Sequence, residues 1–522
     1  MKVNNWIIAL VAAGLTACNS SDDPTPKPVN PGAGGEGKDI NIYPVPPTGW
    51  MGTTSPYNTA GWVGDIMPFY DNGKFHLFFL HDAQTKPAGQ GFHDIHKFES
   101  ANLVDFDYAG RMIPYSTPNQ PDFAIGTGSA VKVGNTYYMY YTGHNGIAEF
   151  VQNNPRESVL YATSTDLKNW TKKPSFKLTA PAGYYNYDFR DPHVFFNVEK
   201  NEYWMLVSTQ TNSRRAVLLL FTTTNPAADN WVPRGPLYTT TDAENYVMLE
   251  CADIFKMGNY WYLFFSEDWS AMKGTHYRMA TSSEGPWTKP AQDMLDGQHF
   301  YAAKTASDGD KRYLFGWTAR RNPENDSGNK EWGGNMVTHE LTQAADGTLG
   351  VKPPDAVNRL FTKEVTLQPK QTVGSATATG STFQLDGSAT AAYSLFGSFA
   401  GSTKISAKVK IDASAGTAGF VFNADNLTQQ SFKVVLEPGN GRIAAYRVSG
   451  GNAQLVTQVA VALQAGTTYD MSVIIDGSVC VLYLNGKAAL SNRLYSLSGK
   501  SWGITATGSQ ATISELKLYG PE

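Results

Sequence analysis

The chain has 522 residues, enough for two or three domains that each bury a core. Gly (49), Tyr (27), Phe (26) and Trp (12) are abundant while helix-period patterns are scarce, which predicts an all-β protein rich in turns. A net charge of -4 with no basic tract argues against nucleic acid as a partner.

The first residues, MKVNNWIIALVAAGLTAC, place a lysine, a short apolar run and small residues ahead of a cysteine, the layout of an export signal. The run is too short to span a bilayer. LTAC, Leu15 to Cys18, resembles the lipobox of bacterial lipoproteins. That implies a signal with lipobox over residues 1–18, cleavage before Cys18 and lipidation of Cys18 as a membrane anchor. Residues 19–42 are rich in Pro, Gly and Ser and poor in large apolar side chains, so a flexible tether is expected. Acidic residues just after the cysteine resemble the surface-export signal of Bacteroidetes lipoproteins, implying an outward-facing outer-membrane protein. Cys251 and Cys480 stand far apart without CxxC spacing, which supports neither a disulfide scaffold nor a zinc site. His81, His93 and His276 are scattered without ligand spacing, so no metal or cofactor is expected.

One aromatic strand type recurs five times: KFHLFFLHD, NTYYMYYTG, NEYWMLVST, NYWYLFFSED and KRYLFGWTA. Successive copies lie roughly 50 to 70 residues apart, room for a four-stranded blade and its loops, so a five-bladed β-propeller is predicted over residues 43–362. An apolar hairpin strand precedes the aromatic one in DIMPFYDNGKFHLF, DPHVFFNVEKNEYWML and CADIFKMGNYWYLF. Counting back four residues from Phe69, Phe195 and Phe255 reaches Asp65, Asp191 and Cys251, with Glu250 one step earlier. Innermost strands surround a propeller's channel, so Asp65, Asp191 and Glu250 are expected to converge. Beyond about residue 365 the composition shifts to Ala, Ser, Thr and Gly. Alternating segments such as TKISAKVKID and VCVLYLNG predict an antiparallel β-sandwich over 363–522.

These motifs, in this order, resemble glycoside hydrolase family 32, fructan hydrolases and invertases built from a five-bladed propeller and a β-sandwich. WVGDIMPFYDNG is similar to the family's Trp-Met-Asn-Asp-Pro-Asn-Gly, which makes Asp65 the candidate nucleophile. YDFRDPHVF carries the Arg-Asp-Pro motif, so the resemblance assigns transition-state stabilisation to Asp191 with Arg190 as companion. MLECADIF carries the Glu-Cys motif, so the resemblance makes Glu250 the acid/base; Asp253 in the same stretch reads as a maker of structural hydrogen bonds, and the resemblance implies that it also orients Arg190. GTGSAV with Ser129, YATSTDLKNWTK, HFYAAKTA, and FGWTARR with EWGGNMVTHELT fit further blade signatures. The first motif departs from the pattern. Gly64 replaces an Asn that helps hold fructose in the family, Ile66-Met67-Pro68 replace Pro-Asn-Gly, and His81-Asp82 replace a Gln and its neighbour. Trp62, Phe92, Trp269, Trp317 and Trp332 flank the motifs as candidates for stacking on sugar rings, although blade aromatics are more often core and about two of the five are expected to meet substrate. Residues expected against substrate are Trp62, Arg190, His81, Asp82, Ser129, Trp269 and Trp317.

Retaining glycoside hydrolysis needs one carboxylate to attack and one carboxylic acid to protonate the leaving oxygen. Crowding three carboxylates raises the pKa of at least one; Glu250, approached from an apolar strand, is expected to be the protonated one and Asp65 the ionised one. Taken singly, each acid has a structural alternative: a turn residue for Asp65 and an arginine ion pair for Asp191 or Glu250. Cys251 reads as a packed neutral thiol. The resemblance implies a fructan, levan or inulin, as substrate. Endo-levanase action is the preferred expectation, because the altered first motif suits internal cleavage and an outward-facing lipoprotein is placed to cut polymer before a surface glycan import system. Alternatives are an exo-acting β-fructosidase, inulinase or invertase, an arabinan-cleaving propeller of family 43, and a non-catalytic surface glycan-binding protein. Such a binder would be expected to lack Asp65 or Glu250, and both are present.

Overall fold

In the computed structural model, each of the five aromatic segments forms the second strand of a blade: Lys74–Ala83, Thr136–His144, Glu202–Thr211, Tyr260–Glu267 and Arg312–Asn322. Ahead of each lies an innermost strand, Gly61–Asp71, Ala124–Val133, Tyr184–Asn197, Glu250–Met257 or Phe300–Ser307. These five inner strands neighbour one another in a closed ring, the five-bladed propeller expected. The first and last blades are hydrogen-bonded where Val63 faces Gly334, which ties the ring shut. The structure describes residues 40–48, 60–85, 91–495, 497 and 499–522, so the expected export signal and Cys18 lie outside the described residues.

The strands read as nearly continuous apolar runs because both faces of each blade are buried, and side chains alternate between them. On Lys74–Ala83, Leu77 and Phe79 pack with Phe315 of the fifth blade, while Phe78 and Leu80 pack with Met139 and Tyr141 of the second. On Glu202–Thr211, Met205 and Val207 face the second blade, and Trp204 and Leu206 face the fourth. Every blade is thus wedged between two neighbours, which fixes how the inner strands meet at the axis.

The C-terminal domain stacks an eight-stranded on a seven-stranded antiparallel sheet around a core that includes Phe420, Val473, Leu482 and Trp502. The chain leaves the propeller after Leu349–Lys352, which pairs with the last blade, and enters the sandwich at Lys363–Val365, which pairs with Gln510–Gly520. The two domains share a core in which Ile474, Val481 and Tyr483 meet Phe264, Phe300 and Val337. Across it, the buried carboxylate of Asp296 receives His339 Nε2 at 3.0 Å and Ser491 N at 2.7 Å. The end of the expected tether is not free. Ile40 N and Ile42 N donate to Ser402 Oγ at 3.1 Å and Asp476 Oδ2 at 2.7 Å, and Ile42 is buried, so residues 40–42 are strapped to the sandwich.

Candidate active site

Four inner strands carry a bulge of two residues opposite one at their channel end. Gly64 and Asp65 lie opposite Leu80, Asp191 and Pro192 opposite Val207, Cys251 and Ala252 opposite Phe265, and Ala302 and Ala303 opposite Gly316. The first bulge residue takes left-handed backbone at Asp191 (φ 61), Cys251 (φ 55) and Ala302 (φ 55), a conformation that costs a non-glycine residue about 1 kcal/mol or more and is common at functional sites. Asp191 is held there by its N–H donating to Thr142 Oγ1 at 2.8 Å. The three acids take three successive places on three blades: Glu250 just before its bulge, Asp191 first in one and Asp65 second in another. Asp65 is therefore one step beyond the level that counting from the aromatic strands gave it.

All three open into one cavity of about 770 Å³ at the mouth of the channel. Asp65 Oδ1 accepts Trp317 Nε1–H at 3.0 Å. Asp191 Oδ2 accepts the Cys251 N–H at 2.9 Å. Glu250 is gripped by two donors, Arg190 Nη1 at 3.1 Å and Tyr301 OH at 2.8 Å. Arg190 is fixed by Glu157 Oε2 at 2.9 Å and Asp188 Oδ1 at 2.5 Å. Although burial pushes the Glu157 carboxyl up, the charges of Arg190 and His144 bring it down to about 2, so it stays an anion.

Burial is the largest influence on all three acids and raises each. Asp65 goes to about 6, with Trp317 opposing and the charge of Glu250 adding. Asp191 goes to about 8, with the charges of Glu250 and Asp65 adding and Arg190 opposing. Glu250 also moves up, against the pull of Arg190 and Tyr301. Burial moves Glu250 toward its protonated form, as expected, against two donors that favour its charge; Asp65, expected ionised, is raised as well, so the trio shares its protons as a unit. Beneath it, Lys304 is almost fully buried, donates to Gly128 O at 2.7 Å and lowers the pKa of Asp65 by its charge. Burial drives the Cys251 thiol far up, which keeps it neutral.

Arg190, Trp269 and Trp317 line the cavity, together with Phe92 and Trp332. Trp62, His81, Asp82 and Ser129, expected against substrate, do not. Trp62 lies under the Arg320 guanidinium with its indole N–H on Glu324. His81 is stacked on His96 with ring centroids 4.3 Å apart, and Asp82 faces Arg320 at 3.3 Å. Ser129 bridges two blades, donating to Pro192 O and accepting Val194 N–H. Asp253 makes the structural hydrogen bonds expected of it, and they go to the fifth blade rather than to Arg190. It accepts Thr305 N–H at 2.7 Å and faces His193 at 3.2 Å.

The departure at Gly64 has a physical cause: a Cβ there would fall 2.0 Å from Cη2 of Trp332. The Trp332 indole, stacked on His93 at 4.5 Å, occupies the space beside the backbone that a larger residue at 64 would claim. Glu157, Asp188, Tyr301, Lys304 and Trp332 complete the site and were not singled out from sequence as parts of it, apart from Trp332 as a stacking candidate. Tyr301 and Lys304 sit inside the recognised HFYAAKTA stretch, and Asp188 two residues before Arg190, so adjacency to a motif was the available signal.

Carboxyls gathered at the mouth of a propeller channel, some raised in pKa by burial, are the groups that glycoside hydrolysis uses. Comparison with known proteins narrows that chemistry. Residues 58–353 match the glycosyl hydrolases family 32 N-terminal domain, and residues 347–518 match the family model described as GH32, BT1760-like, C-terminal domain. The chain belongs to glycoside hydrolase family 32. It is 27% identical over 327 residues to a raffinose invertase of Escherichia coli, an alignment that spans 59% of this chain and 66% of the invertase. In structure it is similar to a family 32 β-fructofuranosidase of Bombyx mori (TM-score 0.66, 21% identity, 93% of this chain and 95% of that one). An exo-inulinase from Aspergillus awamori is similar at TM-score 0.67 and 17% identity, over 90% of this chain and 99% of that one.

Proposed function

We propose that this protein hydrolyses β-fructofuranosyl linkages in fructan with retention, cutting levan within the chain. The observation that carries the reading is the convergence of Asp65, Asp191 and Glu250 in one cavity, with an arginine and a tyrosine on the acid and an indole on the nucleophile. Asp65 attacks the anomeric carbon as the bond to the leaving oxygen breaks, and Glu250 gives that oxygen its proton. Water then attacks the fructosyl-enzyme, losing a proton to Glu250, and Asp65 departs as carboxylate. Asp191, held at the same cavity by Cys251 and Thr142, hydrogen-bonds the fructosyl hydroxyls as charge develops. Family membership and similarity to the raffinose invertase support fructosyl specificity. We place the protein on the outer surface, tethered by lipid on Cys18, where it supplies oligosaccharides to an import system.

Incubating the purified protein with levan, inulin and sucrose and sizing the products tests this. Oligosaccharides released first from levan are expected. Free fructose alone from the start would establish exo action instead, and no product from any of the three would remove the enzymatic reading.

A further inference from the structure

The second strand of the fourth blade ends on Glu267, whose carboxylate has no solvent exposure. A buried charge is costly unless its lone pairs are used. Oε2 of Glu267 accepts the backbone N–H of Trp269 at 2.9 Å and of Ser270 at 2.8 Å, and Oε1 takes the Ser270 hydroxyl. Behind it, His276 is held as a cation by two carboxylates: Nδ1 faces Asp293 at 3.0 Å, and Nε2 is shared between Met272 O at 3.0 Å and Glu267 at 3.4 Å. Asp293 in turn takes Arg278 Nη1 at 2.7 Å. The Met272 side chain packs on the sandwich core, and its sulfur accepts Gln458 Nε2 at 3.4 Å. Residues 268–272 are thus pinned from below by a buried ion network and from the side by the second domain.

What this construction presents to solvent is an indole. Trp269 is 40% exposed on the lip of the catalytic cavity, beside Asp268 and Lys273, which pair at 3.3 Å. A rigid, half-exposed aromatic flanked by polar groups suits the apolar face and hydroxyl rim of a sugar ring. Its side of the cleft follows from the register: Glu250 pairs with Ser266, one residue before Glu267, so the acid and the Trp269 loop share the same end of one blade. Because the acid faces the leaving oxygen, the units that follow that oxygen pass over this blade.

We propose that Trp269, locked by Glu267, is a chain-binding platform for the fructosyl units on the leaving-group side of the scissile bond. The proposal rests on the fructan-hydrolase reading and adds to it a site for polymer beyond the cleaved unit. With levan as substrate, Trp269→Ala is expected to raise KM by about tenfold or more, the scale on which truncating an aromatic anchor acts, while Trp269→Phe keeps most of the affinity. Unchanged thermal midpoints report intact folding. In the Glu250→Gln background, where binding is read without turnover, levan retards the protein in affinity electrophoresis, and Trp269→Ala abolishes the retardation. Equal retardation with and without Trp269, or none in either protein, overturns the platform. A wild-type protein that cuts no fructan refutes the enzymatic reading and with it the leaving-group assignment, and retardation lost with Trp269 would then show a fructan contact without cleavage.

Discussion

Tyr301→Phe removes one hydroxyl and keeps the ring that packs against Trp317. That hydroxyl donates to Glu250 Oε2 at 2.8 Å, a hydrogen bond to a charged group worth about 1.5 to 3 kcal/mol. The lower end applies because 21% of the Glu250 side chain remains exposed to water. At 1.36 kcal/mol per unit, losing the donor raises the pKa of the acid by about one unit. The sign is fixed: a donor to the carboxylate favours its charged form, so removing it lets Glu250 keep its proton to higher pH. In wild type, kcat/KM should rise as Asp65 ionises near its value of about 6 and fall at higher pH as the trio loses the proton that Glu250 gives, a loss that burial delays. The assay is the pH profile of kcat/KM on sucrose or levan for both proteins. Tyr301→Phe should leave the acid limb in place and move the basic limb up by about one unit. A basic limb that stays or moves down refutes the reasoning.

Lys304→Met removes a cation whose charge favours the Asp65 carboxylate, so the acid limb should move up in the same profile, and a limb that moves down would contradict it. Gly64→Asn forces Trp332 off its place and should lower stability by about 1 to 3 kcal/mol, the usual cost of overpacking. Adding Trp332→Gly should recover part of that loss in a thermal double-mutant cycle, and simple additivity would contradict the clash. Asp296→Ala strips partners from His339 and Ser491 across the domain interface, and should cost about 3 to 5 kcal/mol in chemical denaturation.

Repetition made the propeller legible: five aromatic strands each preceded by an apolar strand leave little choice of architecture, and the acids interrupting those strands drew attention to the channel. Register was not legible. Counting from Phe69, Phe195 and Phe255 put Asp65 level with Asp191, but where the extra bulge residues fall is decided by backbone pairing that the side-chain pattern does not record. Nor could spacing show the arginine fork of Arg190 dividing among Glu157, Asp188 and Glu250, since these lie up to 60 residues away and meet only when blades close into a ring. Gly64 stood out as a departure, but only geometry reveals that an indole from the fifth blade covers it. Trp62, His81, Asp82 and Ser129 lie near motifs yet point into packing, because nearness along a strand does not say which face a side chain takes.

Retention requires a fructosyl intermediate on Asp65, and transfer to methanol reads out its stereochemistry. Levan or sucrose is cleaved in buffer containing methanol, and the methyl fructofuranoside formed is identified by NMR. An attack by Asp65 followed by attack of methanol on the fructosyl-enzyme inverts the anomeric centre twice, so methyl β-fructofuranoside is predicted, and none with Asp65→Ala. The α-anomer, or full activity in Asp65→Ala, would rule out a retaining attack by Asp65.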